Sequence, residues 1–146
     1  MTTTPRILEI GQEFMAALSV RDFERLETSF HEGVQFCTFT PRGIRGGYGA
    51  AEATGWLRRW FGEADEFEVL DSSVKQVGDH LHIAYCFDVR KHGKWQTIEQ
   101  HGYCTVSNSQ IDAMFLVSSG FRPEHTAQTE FHAENFYAAG MRVLST

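Results

Sequence analysis

The sequence predicts an α+β fold in which three helices precede an antiparallel meander. Three stretches within the first 61 residues repeat their apolar positions at helical spacing, and from Phe67 onward the period shortens to two. Short polar stretches, "VGDH", "HGK" and "SNSQ", then separate long alternating runs as hairpin turns do. Helices followed by a meander make an α+β arrangement whose sheet has one face covered by the helices.

Thr4-Pro5 reads as an N-cap followed by proline at the first helical position. Ile7, Ile10, Gly11, Phe14, Ala17 and Leu18 then mark one helical face. Asp22 can cap a second, shorter helix with Phe23, Leu26 and Phe30 on one side, and Gly33 can end it in a left-handed conformation. "VQFCTF" reads as a short strand, and the glycine-rich "TPRGIRGGYG" as a loop. A third helix starts near Ala50 and carries Ala53, Leu57, Trp60 and Phe61, with Trp56 at its margin. Strands follow near 67–77, 80–91, 94–107 and 110–121. After Pro123, Ala133, Phe136, Tyr137, Gly140, Met141 and Leu144 are spaced as on an amphipathic helix. The expected organisation is one domain over residues 1–124 and a helical extension over 125–146. That extension either closes the open end of the sheet or packs on a partner.

With 146 residues the chain is long enough to bury about two thirds of its unfolded surface without disulfides or metals. The net charge of −6 argues against a nucleic-acid partner, which would need a basic patch. The only small basic clusters in the sequence, Arg58-Arg59 and Arg90-Lys91, read as solvated faces. Cys37, Cys86 and Cys104 are odd in number and lack CxxC spacing, as expected of reduced thiols in a cytoplasmic protein. No apolar run approaches the roughly 20 residues of a membrane span, so no membrane partner is expected. Twelve phenylalanines are more ring surface than a small core needs. Either an aromatic-lined cavity or a Phe-rich core accounts for them.

"HLHIAYCFDV" divides by alternation. Leu81, Ile83, Tyr85, Phe87 and Val89 form an apolar face that must meet the helices. His80, His82, Ala84, Cys86, Asp88 and Arg90 face away.

"EFMAALSVRDFERLETSFHEGVQF" followed by "RGGYGAAEATGWLRRWF" resembles the nuclear transport factor 2-like superfamily, which includes ketosteroid isomerases, SnoaL-type polyketide cyclases, scytalone dehydratase and limonene epoxide hydrolase. The resemblance covers about residues 7–122. It implies a cone-shaped, cystatin-like α+β barrel, in which a strongly curved antiparallel sheet wraps on the three helices and encloses an apolar pocket. It also implies a homodimer through the outer sheet face. The fold hosts enzymes, binding domains and assembly domains alike.

The isomerases' machinery is a carboxylate base with a phenol and a protonated carboxylic acid as donors. By resemblance, the phenol falls on Phe14, the base on Cys37 or Thr38 and the acid near Gly102. None carries the required group, so isomerase activity is not expected. The dehydratases' His/Asp/Tyr set does not map either.

By the superfamily's register, Ile98, Gln100, Gly102, Cys104 and Val106 face in, and Thr97, Glu99, His101, Tyr103 and Thr105 face out. A slip of one residue would turn His101 inward as a candidate general acid–base, with Tyr85 as its partner. His82, Asp88, Glu99 and His101 read as a polar outer face rather than a metal site, and neither metal nor cofactor is expected. The expected ligand-binding residues are Phe14, Phe36, Trp56 and Trp60 with Tyr48 from the loop. From the sheet come Tyr85, Phe87, Gln100, Cys104, Leu116 and Ser118. The expected function is binding of a small, largely apolar molecule. The alternatives are a lyase, isomerase or cyclase with a non-standard acid–base set, or a dimerising assembly domain. Arg122 can reach the rim and meet an anionic ligand group, or lie on the surface.

Overall fold

In a computed structural model, residues 6–123 are described. The expected tail helix (Ala133 to Leu144) and the Thr4-Pro5 cap lie outside them. Among the described residues the helices are α1 (Ile7–Ser19), α2 (Phe23–Glu27) and α3 (Ala50–Phe61). The strands are β1 (Phe30–Thr40), β2 (Gly43–Tyr48), β3 (Glu66–Val77), β4 (His80–Lys91), β5 (Lys94–Ser107), β6 (Gln110–Ser118) and the short β7 (Arg122–Pro123). They form one strongly curved, unclosed sheet in the order β2-β1-β6-β5-β4-β3, with β7 against β5. All pairings are antiparallel except β1 with β6. Register shifts at Leu70 of β3, between Val69 and Asp71, and at Asp112 of β6, opposite Thr105 and Val106, mark bulges that bend the strands.

The meander follows its alternation; the N-terminal half departs from it in two places. Helix α2 is only five residues long. Asp22 accepts from the Arg25 N–H and starts the helix, but the Thr28 hydroxyl donates back to the Arg25 carbonyl and the chain turns out. Phe30 therefore begins β1 opposite Ile111, and Gly33 lies within that strand instead of capping a helix. The glycine-rich segment is also not a loop, because residues 43–48 pair with β1. Gly46 makes this possible: a Cβ there would stand 2.1 Å from the Phe36 carbonyl oxygen. The missing side chain reads as turn chemistry in sequence but serves close strand pairing here.

Helix α1 lies close on β3 and β4. A Cβ on Gly11 would meet Val74 Cγ1 at 2.6 Å and Leu81 Cδ2 at 3.2 Å. Arg21, between α1 and α2, donates to the Phe61 and Ala64 carbonyls at 3.0 and 2.9 Å, which ties the C-terminal end of α3 to the first helical turn. Phe61 then packs edge-on against Tyr85 and Phe87 of the sheet, at centroid distances of 6.3 and 5.2 Å. These anchors fix the C-terminal end of α3 against the concave side of the sheet, and the rest of the helix packs on β1 and β2.

Candidate functional site

Tyr85, Gln100 and Ser118 stand directly opposite one another on β4, β5 and β6. They make one row across the concave face. The Tyr85 hydroxyl donates to Gln100 Oε1 at 2.5 Å, and Gln100 Nε2 donates to Ser118 Oγ at 3.1 Å. Ser118 Oγ also accepts from the Gly120 N–H at 3.1 Å. A hydroxyl has two lone pairs and one hydrogen, so both acceptor sites of Ser118 are used while its O–H is not. Gln100 likewise keeps one amide N–H. No acceptor among the described residues takes either hydrogen. Burial, and secondarily Cys104, drives the Tyr85 phenol far above its ordinary range, so it is a fixed neutral donor.

Gln100 and Ser118 line a cavity of about 600 Å³. Helix α3 contributes Trp56, Arg59 and Trp60, and β5 contributes Gln96 and Ile98. The end of β1, the turn after it and β2 bring Thr40, Pro41, Arg42 and Arg45. The segment leaving β6 brings Ser119 to Arg122. Trp56 and Trp60 lie 5.8 Å apart and form an aromatic wall. Among the described residues lining the cavity, the only ionisable side chains are arginines.

The expected site residues divide three ways. Trp56, Trp60, Gln100 and Ser118 line the cavity, and Tyr85 lies behind Gln100. Phe14, Phe36, Phe87, Cys104 and Leu116 are buried in the core beside the cavity and do not line it. Their rings and side chains fill the space between α1 and the sheet, so the hollow is confined to the end under α3. Tyr48 is 72% exposed and shares the convex face with Gln35, its partner on β1. Because β2 is a strand, alternation sends Tyr48 out and Arg45, opposite Thr38, in.

His101 lies on the convex face, its side chain 46% exposed. It bonds Glu99 at 2.5 Å and stacks on His82 at 5.6 Å. The register slip that would bring it into the cavity does not occur, since Ala84 is its partner on β4 and Val117 on β6. Among the described residues no three His, Cys, Asp or Glu side chains converge as a metal-binding group, and no helix is long and apolar enough to cross a membrane. Gly102, where the isomerases' acid would fall, is packed into the core. A Cβ there would meet Leu116 Cδ2 at 2.7 Å and Met114 Cε at 3.1 Å, so its role is core packing. Burial pushes the Cys104 thiol up to about 12, far from a nucleophile's range.

The fold has many solved relatives, and the ones compared below are distant in sequence. A protein with a ketosteroid isomerase-like fold from Catenulispora acidiphila, in complex with trimethylamine, superposes with a TM-score of 0.61. It is 18% identical, and the match covers 81% of this chain and 88% of that one. An NTF2-like protein from Burkholderia xenovorans superposes at 0.62, with 15% identity over 82% and 93% of the two chains. This chain has the nuclear transport factor 2-like fold. An LEH-like epoxide hydrolase from M. tuberculosis shares the fold as well, with a TM-score of 0.60 and 14% identity over 77% and 82% of the two chains. No family model and no curated protein matches the sequence. At these identities the likeness to nuclear transport factor 2-like proteins speaks for architecture, and the chemistry must come from this chain's own residues.

Proposed function

We propose that the chain captures a small organic molecule in the cavity beneath α3, with an apolar body against Trp56, Trp60 and Ile98 and an oxygen acceptor on the floor. The row Tyr85–Gln100–Ser118 carries this reading. It ends at the cavity with two unused donors, the Gln100 N–H and the Ser118 O–H, held in place by bonds on their far sides. Such a floor fits a ligand carbonyl or hydroxyl oxygen. Proton abstraction would need a base within reach of the ligand, and the described lining supplies only guanidinium groups. Binding without acid–base chemistry is therefore the better reading than a lyase, isomerase or cyclase built on His101 and Tyr85.

A thermal-shift panel running from two-ring aromatic alcohols to steroids checks this. Stabilisation by some members, reduced in Gln100→Leu and Ser118→Val, is the expected result. A flat response across the panel contradicts it.

A second reading concerns the convex face. Phe39, Tyr103, Phe115 and Val117 are 47%, 57%, 40% and 60% exposed and are neighbours across β1, β6 and β5. A contiguous apolar surface of this kind favours pairing with a second copy of the chain. Sedimentation should show a dimer that Val117→Asp dissociates; a monomeric wild-type chain excludes it.

A further inference from the structure

The cavity's mouth differs in chemistry from its walls. Arg42, Arg45, Arg59 and Arg122 all line it, and no described carboxylate does. The whole chain holds 19 acidic and 13 basic residues, so an indifferent choice of rim residues would lean acidic. The four arginines come from three separate parts of the fold: the β1–β2 hairpin, α3 and β7. Each that has a partner is held by a neutral group. Arg45 donates to the Ile44 carbonyl at 3.0 Å and Arg122 Nε to the Ser119 carbonyl at 3.1 Å. The Arg59 guanidinium lies 4.7 Å from the Trp56 ring centroid, a cation–π contact that holds it beside the aromatic wall. Arg42 makes no side-chain hydrogen bond among the described residues. The Lys/Arg–carboxylate pairs among the described residues, Arg25–Glu13 and Arg90–Glu66, lie elsewhere.

A guanidinium has five N–H donors, and these four spend few of them on protein. Like charges gathered at one opening repel, and the cost grows where surrounding protein lowers the dielectric. A bound anion reverses the sign of that cost, and arginine's planar fork suits carboxylate and phosphate oxygens. The floor agrees with the mouth, because the free groups of Gln100 and Ser118 are also donors.

We infer that the ligand is an organic anion, with an aromatic or alicyclic body on Trp56 and Trp60 and a carboxylate or phosphate held at the mouth by Arg42, Arg45 and Arg59. The inference rests on the cavity-binding reading and narrows it.

Quenching of tryptophan fluorescence in the full-length chain tests the inference, since two of its three tryptophans line the cavity. The probes are 2-naphthoate, 2-naphthyl phosphate, the neutral 2-naphthamide and a naphthylmethyl-trimethylammonium cation. At low salt either anion should bind about ten-fold or more tightly than the amide, the factor that one charge-assisted hydrogen bond supplies. The better of the two anions tells carboxylate from phosphate. Arg42→Gln/Arg45→Gln should remove most of the preference while leaving the amide's affinity in place, Arg59→Gln should reduce it, and Arg45→Lys should keep more of it than Arg45→Gln. Unchanged thermal melts in these variants show that the fold is intact. Equal affinity for amide and anion, preference for the cation, or a preference undiminished by the double substitution overturns the anion inference and leaves cavity binding standing. No quenching by any probe overturns both.

Discussion

The two faces of β4, β5 and β6 are made of the same strands and carry opposite chemistry. On the concave side Tyr85, Gln100 and Ser118 bond to one another in a row, are nearly fully buried, and are neutral. On the convex side, one residue along, His82, His101 and Tyr103 stack at the surface beside Phe115 and Val117. The histidines and carboxylates of these strands belong to the convex face, and fixed neutral donors to the concave one. The difference shows how this fold can keep a cavity whose described lining holds no histidine and no carboxylate. A step of one residue along a strand decides whether a histidine meets water or ligand.

The sharpest way to break the comparison is to cut into the concave face. Phe87 is fully buried, stacks on Tyr85 at 4.7 Å and touches the Phe67 and Phe61 rings. Phe87→Ala should cost about 3–5 kcal/mol of unfolding free energy in denaturant titration. The adjacent convex residue, in Cys86→Ala, should cost far less. Equal losses on the two faces would mean that the convex side is also core, covered by another surface.

A smaller effect is expected from Tyr85→Phe. The ring stays, but Gln100 Oε1 loses its donor inside the protein, a loss of about 1–3 kcal/mol. Because Gln100 is then free to turn, affinity for a ligand bound at the floor should fall as well. A loss of stability with unchanged affinity would show that the row acts only as core packing.

Much of this division was legible in the sequence. The run from Leu81 to Val89 is apolar at every odd position, and a half-buried strand leaves no other phase. The helix lengths and the glycine-rich strand were not legible. Phe30 fits a helical stripe as well as it fits a strand, and only its pairing with Ile111 decides. Least visible was the mouth. Arg122 was read as able to reach the rim, but Arg59 was read as part of a solvated face, and the arginines that meet around the cavity are scattered over some eighty positions. Arg42 and Arg45 were hidden in a segment read as a loop. Once residues 43–48 are a strand, alternation alone turns Arg45 toward the hollow and Tyr48 away from it. The excess phenylalanine had two readings, and both hold in part. Phe14, Phe36 and Phe87 fill core, while the cavity is walled by tryptophan.

The smallest expected effect belongs to the convex face and appears only as a function of pH. Partial burial, then the nearby His101 and then Lys75, lower the His82 pKa below its ordinary 6.5. A group with a depressed folded-state pKa binds more protons when unfolded, so its contribution is present above 6.5 and is lost as pH falls toward the folded value. Across Lys75, His82 and Tyr103, which are neighbours on β3, β4 and β5, the added charge has no carboxylate directly opposite to receive it. Unfolding followed between about pH 7 and pH 5 should therefore show wild-type stability declining more steeply than that of His82→Gln. If the two slopes coincide, the imidazole stack is fully solvated and His82 titrates as it would in water. A variant that is steeper than the wild type would mean that His82 gains a carboxylate partner from a surface packed on the convex face.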